Sequence, residues 1–161
     1  MFPPFNAVGA VRTGKTAKYL IESGHEVKVI SAANQSFDNR LPLEIFNKNI
    51  EYTSWLNVNS PVEIILGGKK KVAAKGYLQS SAHLPNWVQK LGYLYRYLVN
   101  FPDGQIGWYP FAMKAGNNLI RSWSPDLIFA SASPYTTLLV ASALSKKHNI
   151  PWIAELRDLW S

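Results

Sequence analysis

Residues 124–156 read SPDLIFASASPYTTLLVASALSKKHNIPWIAEL, and this stretch decides the fold class. Ser124–Pro125 is a turn that delivers the chain into a short apolar strand, SPDLIFAS. The following SPYTTLLVASALSKKHN reads as a helix, with Pro134 near its start and Lys146, Lys147 and His148 near its end. Positive charge at that end complements the helix dipole. IPWIAEL, residues 150–156, is a second buried strand. Strand, helix and strand joined by short links predict a parallel pair with a right-handed crossover.

Moving outward, the same alternation continues toward the N-terminus. Residues 13–23 read as a helix with Ala17, Leu20 and Ile21 on one face at i, i+3, i+4 spacing. Gly24 stands where a helix C-cap needs positive φ, and HEVKVIS, residues 25–31, follows as a short strand. Residues 85–100, PNWVQKLGYLYRYLVN, predict a helix opened by Pro85, with an apolar stripe of Trp87, Leu91, Leu94, Tyr95 and Leu98. FPDGQIG breaks it, and a further helix runs over residues 108–122 with Phe111, Ala112, Ala115 and Leu119 on one face. Residues 32–84 form an excursion in which NIEYTSWLNV and VEIIL are strand candidates. The expectation is one α/β domain over residues 1–161, with a Rossmann-like, mostly parallel sheet and helices on both faces. Such sheets bind ligands outside the carboxyl ends of their strands. Three segments should converge there: the Gly9 loop, the turn Ser131–Pro134, and Glu155–Asp158.

Composition narrows the function classes. The 161 residues contain no cysteine, which excludes a disulfide scaffold and thiolate metal sites and suits a reducing cytoplasm. The histidines, His25, His83 and His148, lie far apart in sequence, so no metal site is expected. No run approaches the ~18 apolar residues of a membrane span, and no signal peptide opens the chain. Lys and Arg number 17 against 10 Asp and Glu, a net charge of +7 that favours anionic partners. The basic residues are dispersed, so no nucleic acid is expected as partner, although a basic α/β module binding nucleic acid or phosphate is the rival reading from another class. A second rival is a P-loop ATPase, because GAVRTGKT, Gly9–Thr16, fits the written motif. That motif needs a buried strand before it, and MFPPFNAV with two prolines leaves no room for one. The carboxylate for magnesium is also misplaced, since Asp126 opens its strand rather than closing it.

Five segments in order, FPPFNAVGAVR, SGHEVKVIS, PDGQIGWYPFA, SPDLIFASASP and IPWIAELRDLW, resemble the N-terminal domain of family-4-like glycosyltransferases of the GT-B fold. The resemblance covers nearly the whole chain and is weakest over residues 32–84. It implies a hexosyltransferase of polysaccharide biosynthesis in the cell envelope. Such an enzyme moves a sugar from a nucleotide-sugar donor to a glycan or lipid-linked acceptor, with no metal or other cofactor. It also implies a first strand before Phe2 and a C-terminal donor-binding domain after Ser161, neither of which lies within these residues. This chain alone is therefore expected to be inactive. Departures occur at Glu155, where relatives often carry aspartate, and at Leu159, where proline is common.

The resemblance implies roles residue by residue. Asp158 or Glu155 orients the acceptor hydroxyl, and Arg157 grips an anionic group in bidentate fashion. The alternative at 155–158 is a structural ion pair that fixes the strand end. Gly9 lets backbone N–H groups approach a phosphate, and Arg12 adds charge at the helix start. Ser131 and Ser133, with Pro134, either cap the next helix or bind substrate oxygens there, and both can hold. Lys90, Tyr93, Arg96 and Tyr97 suggest a basic, aromatic face for peripheral contact with an anionic membrane. This is consistent with a location in the cytoplasm or at the inner face of the plasma membrane. A sheet lacking its first strand would offer unpaired backbone groups for self-association.

Overall fold

The computed structural model describes residues 2–33, 38, 40–59 and 85–157. Helix α1 spans Val8–Glu22 and so begins at Val8 rather than at residue 13. It ends in a Schellman motif: Gly24 takes φ +88°, its N–H bonds Ile21 O at 3.0 Å, and His25 N–H bonds Leu20 O at 3.0 Å. Strand β1, Val29–Ala32, runs back from that turn and pairs in parallel with β2, Ile50–Thr53, in register Val29 to Ile50. Helix α2 spans Asn86–Val99. Helix α3, Tyr109–Trp123, carries Pro110 in its first turn, where the missing N–H has no intrahelical partner to lose.

The strand–helix–strand unit forms as expected, but its last strand is not the buried one the sequence predicts, since Ile153, Ala154 and Leu156 are exposed. Strand β3, Ile128–Ala132, leads into α4, Thr136–His148, which returns the chain to β4, Trp152–Leu156. β3 and β4 are parallel, with Ser131 opposite Glu155. Asn149 adopts the left-handed conformation (φ 54°) that ends α4, and Ile150 N–H bonds Ser145 O at 3.2 Å.

The arrangement is mixed α/β, but the described strands do not join into one sheet. They form two separate two-stranded parallel pairs, β1–β2 and β3–β4. The segment before α1 cannot link them. Pro3 and Pro4 sit in a turn, and the flanking groups bond to the loop instead: Asn6 N–H to Asp38 O at 2.8 Å, and Leu41 N–H to Pro4 O at 3.1 Å. Side-chain packing holds the pairs together. Buried Trp108, Ala112, Val140 and Leu144, from the α3 and α4 region, pack on Ile30 and Ala32 of β1 and on Ile128 of β3. Trp108 Nε1–H also donates to Thr53 Oγ1 of β2 at 2.7 Å. On the opposite face, Phe2, Ala17 and Ile45 pack with Ile21, Val29 and Ile50. Alternation along β1 therefore sends even residues toward α3 and α4, and Val29 toward α1.

Helix faces differ from the pattern in informative ways. α1 buries Ala10, Gly14 and Ala17, while Leu20 turns outward. α3 buries Ala112, Ala115 and Gly116, and Phe111 is exposed. In both, small residues face inward because neighbouring side chains leave no room: a Cβ at Gly14 would crowd the Pro3 ring, and one at Gly116 the Leu144 side chain. The stripe expected on α2 is largely exposed: Trp87, Leu91, Leu94 and Leu98 face outward, and Tyr95 alone of the five is half-buried. The strand candidate at VEIIL lies outside the described residues.

Two buried polar groups give testable consequences. Ser31 Oγ is buried and lacks a hydrogen-bond partner among the described residues. Such a group carries its desolvation penalty without return. Ser31→Ala is expected to leave stability unchanged or raise it by about 1 kcal/mol in urea denaturation; a loss of that size would reveal a partner for the hydroxyl. Tyr52 donates its phenol proton to Pro3 O, and burial raises its pKa above the ordinary 10.0. The folded state thus favours the neutral phenol. Its contribution is complete below the unfolded pKa and is lost as pH rises through the higher folded value. The melting temperature should fall more steeply above about pH 10 in the wild type than in Tyr52→Phe.

Candidate functional site

The carboxyl ends of β3 and β4 meet the first turns of α1. Glu155, facing the α1 side of β4, receives a hydrogen bond from Ser131 Oγ at 2.6 Å through Oε2. Its Oε1 pairs with Arg12 Nη2 at 2.6 Å. The Glu155 side chain is 19% exposed and that of Arg12 57% exposed, so the pair is open to solvent on the arginine side. An ion pair this accessible contributes little net stability. Each Glu155 oxygen retains acceptor capacity beyond these bonds.

Arg157 lies on the same side, two residues on, as strand alternation requires. Its Nε donates to Ala132 O at 2.5 Å and its Nη2 to Ser133 O. These bonds clamp the β3–α4 turn to the end of β4. The guanidinium also lies directly against Gly9, where a Cβ would overlap Nη1. Glycine at position 9 thus makes room for the arginine. Gly9 lies within the first turn of α1 and not in a loop, and it makes no phosphate nest. The whole of Gly9–Thr16 is helical, with Lys15 3.6 Å from Glu44, so the P-loop conformation is not formed.

The structure therefore brings together Gly9, Arg12, Ser131, Glu155 and Arg157, and the Ser133 carbonyl with them. Asp158 lies outside the described residues. Among the described residues Arg157 does not pair with Glu155, the ion pair considered for this strand end. Its partners are main-chain carbonyls, and the ion pair at the rim joins Glu155 to Arg12 instead. Both arginines crowd the start of α1, which has no acidic residue in its first turn and no side-chain cap. The positive end of the helix dipole adds to their charge, so this corner attracts anions. Among the described residues no group of three or more His, Asp or Glu side chains is placed to hold a metal ion.

The sequence pattern misassigns one role and misses one residue. The first N–H of α4 is capped neither by Ser131 nor by Ser133. Asp103, in the turn after α2, accepts from Thr136 N–H at 2.9 Å through Oδ2 and from Thr136 Oγ1 at 2.7 Å through Oδ1. It also accepts from Gln105 N–H at 2.8 Å, which fixes its own turn. Thr137 Oγ1 lies 2.7 Å from Pro134 O and 3.1 Å from Ser131 O, tightening the same corner. The only local hint is negative: α4 lacks an acid in its first turn, so its free N–H groups need a partner from elsewhere. A search of protein-family models, of curated proteins and of solved structures finds no match to this chain.

Because the cap is Asp103, Asp103→Ala should lower unfolding free energy by about 1–2 kcal/mol. Ser133→Ala should change it by less than about 0.5 kcal/mol. Chemical denaturation of the two variants side by side checks this, and a larger loss from the serine variant would reverse the assignment.

Proposed function

We propose that this chain is the acceptor-side domain of a glycosyltransferase with a Rossmann-like, GT-B architecture. It moves a sugar from a nucleotide-sugar donor to a glycan or lipid-linked acceptor when joined to a donor-binding domain. The observation that carries the reading is the cluster of Arg12, Ser131, Glu155 and Arg157 beside Gly9. These residues come from three segments far apart in sequence and meet at the carboxyl ends of parallel strands. That is where ligands dock in α/β proteins. The ordered motifs that resemble the glycosyltransferase family fall on the same three segments.

Within this reading each group has a distinct task. Arg12, more than half exposed at the start of α1, meets the donor phosphates. A phosphate that takes the Arg12 guanidinium frees Glu155 Oε1 to accept a hydrogen bond from an acceptor hydroxyl. Asp158, one residue beyond Arg157 in sequence, is the second carboxylate proposed for that task. Arg157 is a positioning residue: it holds the turn that carries Ser131 to the strand that carries Glu155. In this reading chemistry occurs in the cleft between this domain and the donor-binding domain.

Amide chemical-shift mapping with nucleoside-diphosphate sugars and with oligosaccharides tests the proposal. Shifts should concentrate at residues 9–12, 131–134 and 155–157, and Arg12→Ala should weaken nucleotide-sugar binding about tenfold, or ~1.4 kcal/mol. Shifts confined to the other end of the strands, or sugar transfer by this chain alone, would refute it.

A further inference from the structure

Helix α2 divides its apolar residues between two sides. Gly92 is buried, Val88, Tyr95 and Val99 are half-buried, and these face the body of the protein. Tyr95 OH donates to Val58 O at 2.9 Å, and Asn100 and Asn59 exchange side-chain amide bonds of 2.9 and 3.0 Å. The larger residues Trp87, Leu91, Leu94 and Leu98 form a strip on the outer side, each between 54% and 69% exposed. Their i, i+4, i+7, i+11 spacing keeps them on one face over roughly 16 Å of helix. Phe101, 78% exposed, extends the strip past the helix end. Contiguous exposed apolar surface of this kind marks an interaction site.

Charge and composition indicate the partner. The helix carries Lys90 and Arg96 and no acidic residue, and the chain as a whole is +7. Lys90 is exposed, and the exposed Tyr93 and Tyr97 lie near it around the helix. Tryptophan and tyrosine favour the boundary between water and acyl chains, and lysine beside them suits anionic headgroups. An apolar strip of this length with a basic flank matches a helix lying in the plane of the interface. Among the described residues no helix is long and apolar enough to cross a membrane, so the geometry is that of surface attachment. We infer that α2 is an interfacial helix that seats Trp87, Leu91, Leu94, Leu98 and Phe101 in an anionic lipid surface. The inference rests on the helix alone and does not depend on the sugar-transfer reading.

Flotation of the full chain with phosphatidylcholine vesicles, with and without about one third phosphatidylglycerol, tests it. Binding is expected to the anionic vesicles at low salt and to fall at least about tenfold near 0.5 M salt. The double substitution Trp87→Ser and Leu94→Ser should reduce it by about tenfold or more, with far-UV dichroism unchanged. Should that variant misfold, Trp87→Phe serves: it should keep vesicle binding and remove most of the tryptophan quenching caused by brominated lipids. Failure to bind anionic vesicles at low salt overturns the inference. So does binding that the double substitution leaves intact, quenching that survives Trp87→Phe, or a wild-type dimer that the double substitution converts to monomer.

Discussion

Among the described residues two pairs of strands lie with no ladder between them, and one side-chain cluster spans both. Trp108, Ala112, Val140 and Leu144 touch Ile30 and Ala32 on one pair and Ile128 on the other. A backbone ladder would fix the spacing through directional bonds at every second residue. Packing fixes it through volume, which works because interiors tolerate few voids. Small side chains permit the close approach. Ala112 is fully buried, Ala115 and Ala130 nearly so, and larger residues at those positions would push helix and strand apart. The Trp108 indole adds a directional element, its hydrogen bond to Thr53 tying the cluster to β2 as well.

The cluster at the strand ends inherits that dependence. α1 is anchored to the first pair through Ala17 and Ile21, whereas Ser131 and Glu155 belong to the second. The bond from Arg12 to Glu155 and the contact of Arg157 with Gly9 therefore cross from one unit to the other. A shift of about an ångström between the pairs would break a hydrogen bond of ordinary length. The functional corner and the hydrophobic cluster are thus parts of one mechanical arrangement. The cluster sets the distance, and the arginines span it. Asp103 belongs to the same arrangement, because its grip on Thr136 sets where α4 starts and hence how the Ser131–Pro134 turn is presented.

What the sequence disclosed follows from the range of each interaction. The β3–α4–β4 unit was readable because its signals are local: Pro134 at the helix start, basic residues in the last turn, and apolar runs on both sides. The same holds for Gly24, whose positive φ is set by its own turn. Faces were less readable. Leu20 and Phe111 are more apolar than Gly14 and Gly116, yet the glycines face inward, since the Pro3 ring and the Leu144 side chain leave room there for nothing larger. The separation of the strands into two pairs was not readable either, because runs of apolar residues say nothing about which strand they bond. At the site, the meeting of segments 9–12, 131–134 and 155–157 followed from the parallel topology. The partner of each side chain did not. Whether Glu155 meets Arg157 or Arg12, and whether a serine or Asp103 caps α4, depends on contacts between distant segments that no local spacing encodes.

Helix α2 shows what that dependence on packing leaves over. Among its described side chains, a glycine, two valines and Tyr95 are buried or half-buried, while a tryptophan and three leucines face out. Burying a leucine is worth about 1.5–3 kcal/mol, so a water-facing helix should turn the other way. The inward side instead carries Tyr95, which bonds the Val58 carbonyl, and leads to Asn100, which bonds the Asn59 amide, and these polar contacts favour the observed rotation. A side chain arrangement that is costly in water becomes favourable once the outer side meets an apolar phase. Lysine beside the strip then supports attachment at a charged boundary without hindering it, because its long aliphatic stem can lie along the apolar surface while the ammonium stays in the headgroups.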